Sequence, residues 1–229
     1  REKFLSVGRV QTPTLAILVE RELEIKNFIS VPYWQIKTVL KNRNGEKFDS
    51  FYYKKKILDE NEAQKIFEKI KDKGTVSSIK EVNRAIKPPT PLNTTALIVA
   101  ASSIGFSAQK TINIAENLYI NGFISYPRTD NTVYPSSIDL KETVLNLKSN
   151  NDFSNMIEAV ISQKNLKPTR GARKTTDHPP IYPVSAANKN ELRDDEWKLY
   201  ELIARRFACT LLPEASVKNM AVNIDINGL

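Results

Sequence analysis

Cysteine and histidine are almost missing from this chain. With one of each among 229 residues, it has no disulfide framework, no cysteine-based zinc site and no imidazole pair for a metal or a histidine relay. Cys209 falls in a stretch with helical apolar spacing and reads as a buried, inert thiol. Long apolar runs are missing too. Nothing approaches the ~18 residues of a membrane-spanning helix, so no membrane partner is expected. The opening Arg1-Glu2-Lys3 has the character neither of a secretory leader nor of a natural start, and the chain reads as part of a longer protein. Chemistry is left to tyrosine, serine, lysine, arginine and the carboxylates.

What is abundant is positive charge. A formal net charge of +8 and an isoelectric point near 9.4 suit a polyanionic partner, because each phosphate neutralised by Lys or Arg releases condensed counterions. The hydrophobic fraction of 41% is enough for a substantial core, and the length fits one large domain or two small ones.

Periodicity divides the chain. The stretch SVGRVQTPTL (residues 6–15) reads as a loop feeding a helix, with Thr12 as N-cap, Pro13 at the first helical position, and Leu15, Leu18, Val19 and Leu23 as its apolar stripe. Gly8 and Arg9 stand just before that start, where free N–H groups and the helix dipole favour an anion. From Val31 the period becomes two: Trp34, Ile36, Thr38 and Leu40 alternate with polar neighbours, Asn44-Gly45 makes a hairpin turn, and Lys47–Tyr53 returns. A helix capped by Asp59, with stripe Ala63, Ile66, Phe67 and Ile70, is predicted to end at Gly74.

Pro88-Pro89-Thr90-Pro91 reads as a stiff extended linker. Beyond it come a helix capped by Thr94 or Thr95 and closed by Gly105, and a second capped by Ser107 with Ile112, Ala115, Leu118 and Tyr119 on its face, together a helix-turn-helix outline. A helix near Asp194–Leu211 carries Trp197, Tyr200, Ile203, Phe207 and Leu211, and a strand alternates through Met220, Val222, Ile224 and Ile226. The fold expected is a multi-domain α and β chain. Residues 1–30 form a leading loop and helix, 31–87 plus 213–229 a discontinuous β-rich domain, and 88–212 a mainly helical domain.

The run GFISYPRTDN (122–131) puts Tyr126 where regular elements stop. Pro127 pushes it into extended backbone, so Tyr126 and Arg128 tend to project to one side. A phenol is a poor nucleophile at neutral pH, yet a guanidinium beside it favours phenolate and stabilises charge on a phosphate under attack. Tyr-x-Arg therefore suits phosphoryl transfer, although read alone, as a short string common by chance, it fits a structural tyrosine better.

GFISYPRTDN together with SVGRVQTPTL, RAIKPPTPLNTTAL (84–97) and IGFSAQKTINIAENLY (104–119) resembles the type IA DNA topoisomerases, most of all an archaeal topoisomerase I or the topoisomerase core of a reverse gyrase. The resemblance runs over nearly the whole chain, in the family's order. It implies that Tyr126 attacks a phosphodiester in single-stranded DNA and becomes linked to the 5′ phosphate, with Arg128 beside it. Ser6, Gly8, Arg9 and Gln11 then line the groove for the single strand, and the β-rich domain acts as an arch that opens a gate. Since the broken bond's energy is kept, no ATP is implied for cutting and rejoining. His178, in TTDHPPIYP (175–183), resembles the position where the family keeps a histidine near the scissile phosphate, although the Asp-His-Pro-Pro string departs from the bacterial Ala-His-Glu form. The basic run just before it, KPTRGARK with Arg170, Arg173 and Lys174, fits a DNA-backbone contact.

The family's magnesium site lies in a Toprim domain with a DxDxE cluster. This chain has no such string, and Asp194-Asp195-Glu196 is spaced wrongly for one. The resemblance thus implies a fragment with the nucleophile but without the Mg2+ carboxylates, partnered by its own Toprim domain and by DNA in the cytoplasm. The rival reading is a non-enzymatic helix-turn-helix DNA-binding module using residues 94–121.

Overall fold

The computed structural model describes residues 7–229; Ser6 lies outside them. The described residues divide into two compact units, 7–80 with 220–229 and 81–219.

The first unit begins with α1 (Gln11–Asn27), which buries none of its residues. The expected stripe of Leu15, Leu18, Val19 and Leu23 is there but exposed, because among the described residues nothing of the unit covers it. Its start also differs from expectation. Val10 takes the N-cap position without a side-chain hydrogen bond, which makes Pro13 the third helical residue, and Thr14 rather than Thr12 turns its hydroxyl back, donating to the Val10 carbonyl at 2.8 Å.

Strands β1 (Lys37–Lys41) and β2 (Lys47–Phe51) form the expected antiparallel hairpin, in register from Lys37 opposite Phe51 to Lys41 opposite Lys47. Its inner face carries Ile36, Thr38, Leu40 and Ser50, each half-buried, while the alternate residues are exposed. The small core consists of Ile57, Ala63 and Ile66 with Trp34, Ile36 and Tyr52 against them. Helix α2 (Glu60–Lys69) starts at Asp59, whose carboxylate accepts the Asn61 N–H at 2.8 Å. Phe67, expected on its buried stripe, faces outward because only Ala63 and Ile66 reach this narrow core.

Gly74 has a different task from the helix stop expected of it. The helix has already ended at Lys69, and a Cβ on Gly74 would stand 2.7 Å from Ile224 Cγ2 and 2.9 Å from Ile226 Cγ1. It is glycine because another chain segment passes too close for a side chain. That segment is the end of β4 (Ala215–Asp225), which pairs with β3 (Thr75–Ile86) in a long two-stranded ribbon. Ser77 meets Asn223 and Glu81 meets Lys218, so the strands run antiparallel. The closing strand thus returns to the earlier β segment as its alternation predicts. The division between the two units falls within this ribbon.

The second unit holds α3 (Thr94–Ser102), α4 (Ala108–Ile120), α5 (Leu140–Leu147), α6 (Ser154–Ile161) and α7 (Asp194–Cys209) around the main core. Trp197, Tyr200, Ile203, Phe207 and Leu211 are all buried, as the spacing of α7 predicts. Phe153 stacks on Trp197 with ring centroids 5.8 Å apart, and Tyr134 meets Phe207 edge-on at 5.7 Å. Burial of these aromatic faces is a dominant stabilising contribution. The Tyr200 hydroxyl is fully engaged, donating to the Ser185 carbonyl at 2.7 Å and accepting the Ala187 N–H at 3.2 Å. Burial pushes that phenol up to about 12.

The Pro-rich segment is fastened to this unit. Thr169 Oγ1 donates to the Pro89 carbonyl at 2.6 Å, Arg206 Nε donates to the Thr90 carbonyl at 3.0 Å, and buried Leu92 bridges Ile181.

Candidate active site

The α3 N-cap is Asn93, whose side chain accepts the Ala96 N–H at 2.8 Å, and neither Thr94 nor Thr95 caps the helix. Thr94 is spent elsewhere. Its hydroxyl donates to the Pro127 carbonyl at 2.7 Å and accepts the Thr129 N–H at 2.9 Å, while its own N–H donates to the Thr129 carbonyl at 2.9 Å. The backbone on both sides of Arg128 is therefore gripped by one threonine.

Ser125 grips the chain just before Tyr126. Its hydroxyl donates to the Pro180 carbonyl at 3.0 Å and accepts the Tyr182 N–H at 3.1 Å, and its N–H donates to the Tyr182 carbonyl at 3.0 Å. Downstream, the buried Asn131 amide donates at 3.0 Å to the carbonyls of both Thr175 and His178, and Thr129 Oγ1 donates to the His178 carbonyl at 3.3 Å. These bonds tie the 125–131 loop to the 175–182 loop. Two segments far apart in sequence become one platform.

On that platform Tyr126 is half-buried and His178 exposed. Their rings lie 4.5 Å apart, and Tyr119 from α4 meets the Tyr126 ring edge-on at 5.2 Å. Tyr119 was expected on the core face of α4. That face consists instead of Thr111, Ile114, Ala115 and Leu118, which turns Tyr119 and Glu116 toward the Tyr126 loop. Arg128 donates from Nε to Glu116 Oε1 at 2.7 Å and from Nη2 to the same oxygen. The Glu116 hydrogen bond and charge hold the guanidinium more firmly protonated than usual.

The basic run is held in place as well. Gly171 N–H donates to the Thr132 carbonyl at 2.9 Å, Thr132 N–H donates to the Arg173 carbonyl at 2.9 Å, and Arg173 N–H donates to Thr132 Oγ1 at 3.1 Å. A Cβ on Gly171 would meet Thr132 Oγ1 at 2.3 Å. The Arg173 guanidinium pairs with Asp130 at 2.6 Å, whereas Arg170 and Lys174 are exposed. An open cleft of about 650 Å³ is lined by Thr94, Arg128, Asp130, Lys174 and Asp177, among others.

The structure therefore brings together Tyr126, Arg128, His178, Arg173 and Lys174 in the second unit. Gly8, Arg9 and Gln11 belong to the first, at the start of α1, where Gly8 is half-buried and Arg9 exposed. Sequence reasoning overlooked Glu116, Thr94, Ser125 and Asn131. Thr94 was mistaken for a cap, and the other three carried no periodic signal. Among the described residues, no three His, Cys, Asp or Glu side chains gather as a metal cluster, and no helix is long and apolar enough to cross a membrane.

Known proteins share this architecture and sequence. A family profile described as DNA topoisomerase matches residues 1–229. The chain is 46% identical over 228 residues to DNA topoisomerase 1 of Archaeoglobus fulgidus, covering 99% of this chain and 33% of that protein. It is 32% identical over 230 residues to DNA topoisomerase 3-beta of Arabidopsis thaliana, covering 99% of this chain and 26% of that protein. Among solved structures, full-length topoisomerase I from Thermotoga maritima superposes with a TM-score of 0.65 at 27% identity, over 99% of this chain and 40% of that one. The chain spans about a third of the length of the curated relatives it matches. It belongs to the type IA DNA topoisomerase family.

Proposed function

We propose that, in the intact protein, this chain supplies the nucleophile that cuts one DNA strand and later rejoins it, so that another strand passes through the gap. The observation that carries this reading is the fixation of Tyr126 from both sides, by Ser125 upstream and Thr94 downstream, with its ring left half-exposed beside His178. A tyrosine with only a packing role has no need of such pinning on an accessible surface. Preorganisation of this kind supports a residue that must meet a phosphorus atom in line.

In the step proposed, Tyr126 Oη loses its proton and forms a bond to phosphorus as the bond to the 3′ oxygen breaks. The 3′ oxygen leaves as a hydroxyl, taking up a proton, and the phosphate stays on the tyrosine at its 5′ side. Arg128 meets the charge that gathers on the non-bridging oxygens. His178 stands beside the ring for a contact to the same phosphate, and Arg170, Arg173 and Lys174 steer the backbone of the single strand. Rejoining reverses these bonds, so no ATP is needed for cutting and resealing.

On the same reading residues 88–212 form the nucleophile domain, residues 31–87 with 213–229 an arch, and Gly8, Arg9 and Gln11 a wall of the single-strand groove. Magnesium belongs to a Toprim domain outside this sequence, and no step is routed here through the metal. The test is covalent trapping. Incubating the intact enzyme with a labelled single-stranded oligonucleotide and denaturing it should leave DNA on Tyr126, and Tyr126→Phe should abolish the adduct with binding retained. Binding that is normal with no adduct in the unmodified enzyme would favour the helix-turn-helix binding module instead.

A further inference from the structure

The Arg128 side chain is not free to go where it will. It is held by Glu116 through Nε and Nη2, both on the single oxygen Oε1, and among the described residues Nη1 has no partner. The choice of partner is selective. Asp130 is only two residues from Arg128, yet it takes Arg173 at 2.6 Å, and among the described residues no other cation pairs with Glu116. Glu116 in turn stands on a fixed element. Helix α4 buries Thr111, Ile114, Ala115 and Leu118, and Lys110 ties its first turn to Asp195 at the start of α7 at 2.7 Å. One turn further along the same face, Tyr119 touches the Tyr126 ring. Helix α4 thus contacts both members of the Tyr-x-Arg pair.

Surface ion pairs contribute little to stability, so the fold gives scant reason for this one. A carboxylate here also cancels the charge that would draw a phosphate in. We propose that Glu116 is a positioning residue for strand cleavage: it grips the inner edge of the Arg128 guanidinium and sets its remaining N–H groups for the phosphate attacked by Tyr126, at the expense of DNA affinity. This rests on the role proposed for Arg128.

Two effects of opposite sign follow. In the intact enzyme, Glu116→Ala should lower the single-turnover rate of adduct formation by about tenfold, as expected for a misaligned charge donor. It should also tighten single-strand binding by about two- to fivefold, because one negative charge leaves the surface. Glu116→Gln retains an oxygen that accepts the same N–H groups, so its cleavage should return to within about threefold of the parent while its binding stays tight. With Arg128→Ala as background, adding Glu116→Ala should change the cleavage rate no further, since Glu116 acts only through Arg128.

A merely structural role predicts weakened binding and cleavage together, without rescue by glutamine, and that outcome overturns the proposal. So does a Glu116→Ala enzyme that cleaves at the parental rate while Arg128→Ala is impaired. If Arg128→Ala itself cleaves normally, the reading of Arg128 fails and this proposal falls with it.

Discussion

Thr94 is where the geometry makes its sharpest demand. Thr94→Val keeps the volume and the β-branched shape but removes the hydroxyl that bonds Pro127 and Thr129 on either side of Arg128. Two half-buried hydrogen bonds are lost, and the Thr129 N–H is left without its acceptor. At about 1 kcal/mol for each bond, plus a similar amount for the orphaned group, the substitution should cost about 2–3 kcal/mol of stability. The catalytic loss should be larger in proportion. Freed at 127 and held at 129 only through the backbone N–H of residue 94 and the Thr129 hydroxyl, the loop fixes Arg128 less closely relative to Tyr126, and misplacement of about 1 Å can cost a hundredfold in rate. The assay is single-turnover adduct formation by the intact enzyme, with oligonucleotide affinity and denaturant stability measured on the same preparation. Thr94→Ser, which keeps the hydroxyl, should stay near the parent in rate. Should Thr94→Val cleave as fast as the parent while losing stability as calculated, the clamp holds the fold only and the argument for a preorganised loop is wrong.

Gly171→Ala places a methyl 2.3 Å from Thr132 Oγ1, so the basic loop must shift. About 1–3 kcal/mol should be lost in denaturant titration, and single-strand affinity should fall with it. With Tyr126→Phe in place to prevent cleavage, binding of single strands should weaken steeply with salt, and Lys174→Ala should reduce the slope of log K against log salt by about 0.7. At alkaline pH the buried Tyr200, raised to about 12, keeps its proton in the folded chain after the unfolded chain has lost it near 10. The folded state then binds more protons, so this contribution is complete below pH ~10 and lost between about 10 and 12. Thermal unfolding of Tyr200→Phe should show a shallower alkaline decline. An equally steep decline would mean that other groups set it.

Much of this was readable in the sequence because periodicity reports burial. The alternation from Trp34 to Leu40 and the spacing of Trp197, Tyr200, Ile203 and Phe207 follow directly from which side faces a core. Where no core stands opposite, the same signal misleads: the apolar stripe of α1 is genuine in sequence yet exposed in this chain. Tyr126, Arg128 and His178 were visible through their motif strings. The residues that hold them were not, because Ser125, Thr94 and Asn131 act through backbone carbonyls supplied by distant segments. A threonine before a helix looks like a cap whether or not its hydroxyl turns away. Likewise Gly74 reads in sequence as a helix stop and Gly171 only as part of a basic run, when each marks a close approach between segments. Glu116 was hidden by a shift of the buried face of α4, which carries Tyr119 and Glu116 round to the Tyr126 loop.

The central claim is that the oxygen of Tyr126 becomes bonded to DNA. The most direct measurement is to react the intact enzyme with a single-stranded oligonucleotide, denature it, digest it with protease and identify by mass spectrometry the peptide that carries the nucleotide. The phosphate should be found on Tyr126, attached to the DNA at its 5′ end, with no adduct from Tyr126→Phe. An adduct on any other residue, or one that persists undiminished in Tyr126→Phe, would contradict it.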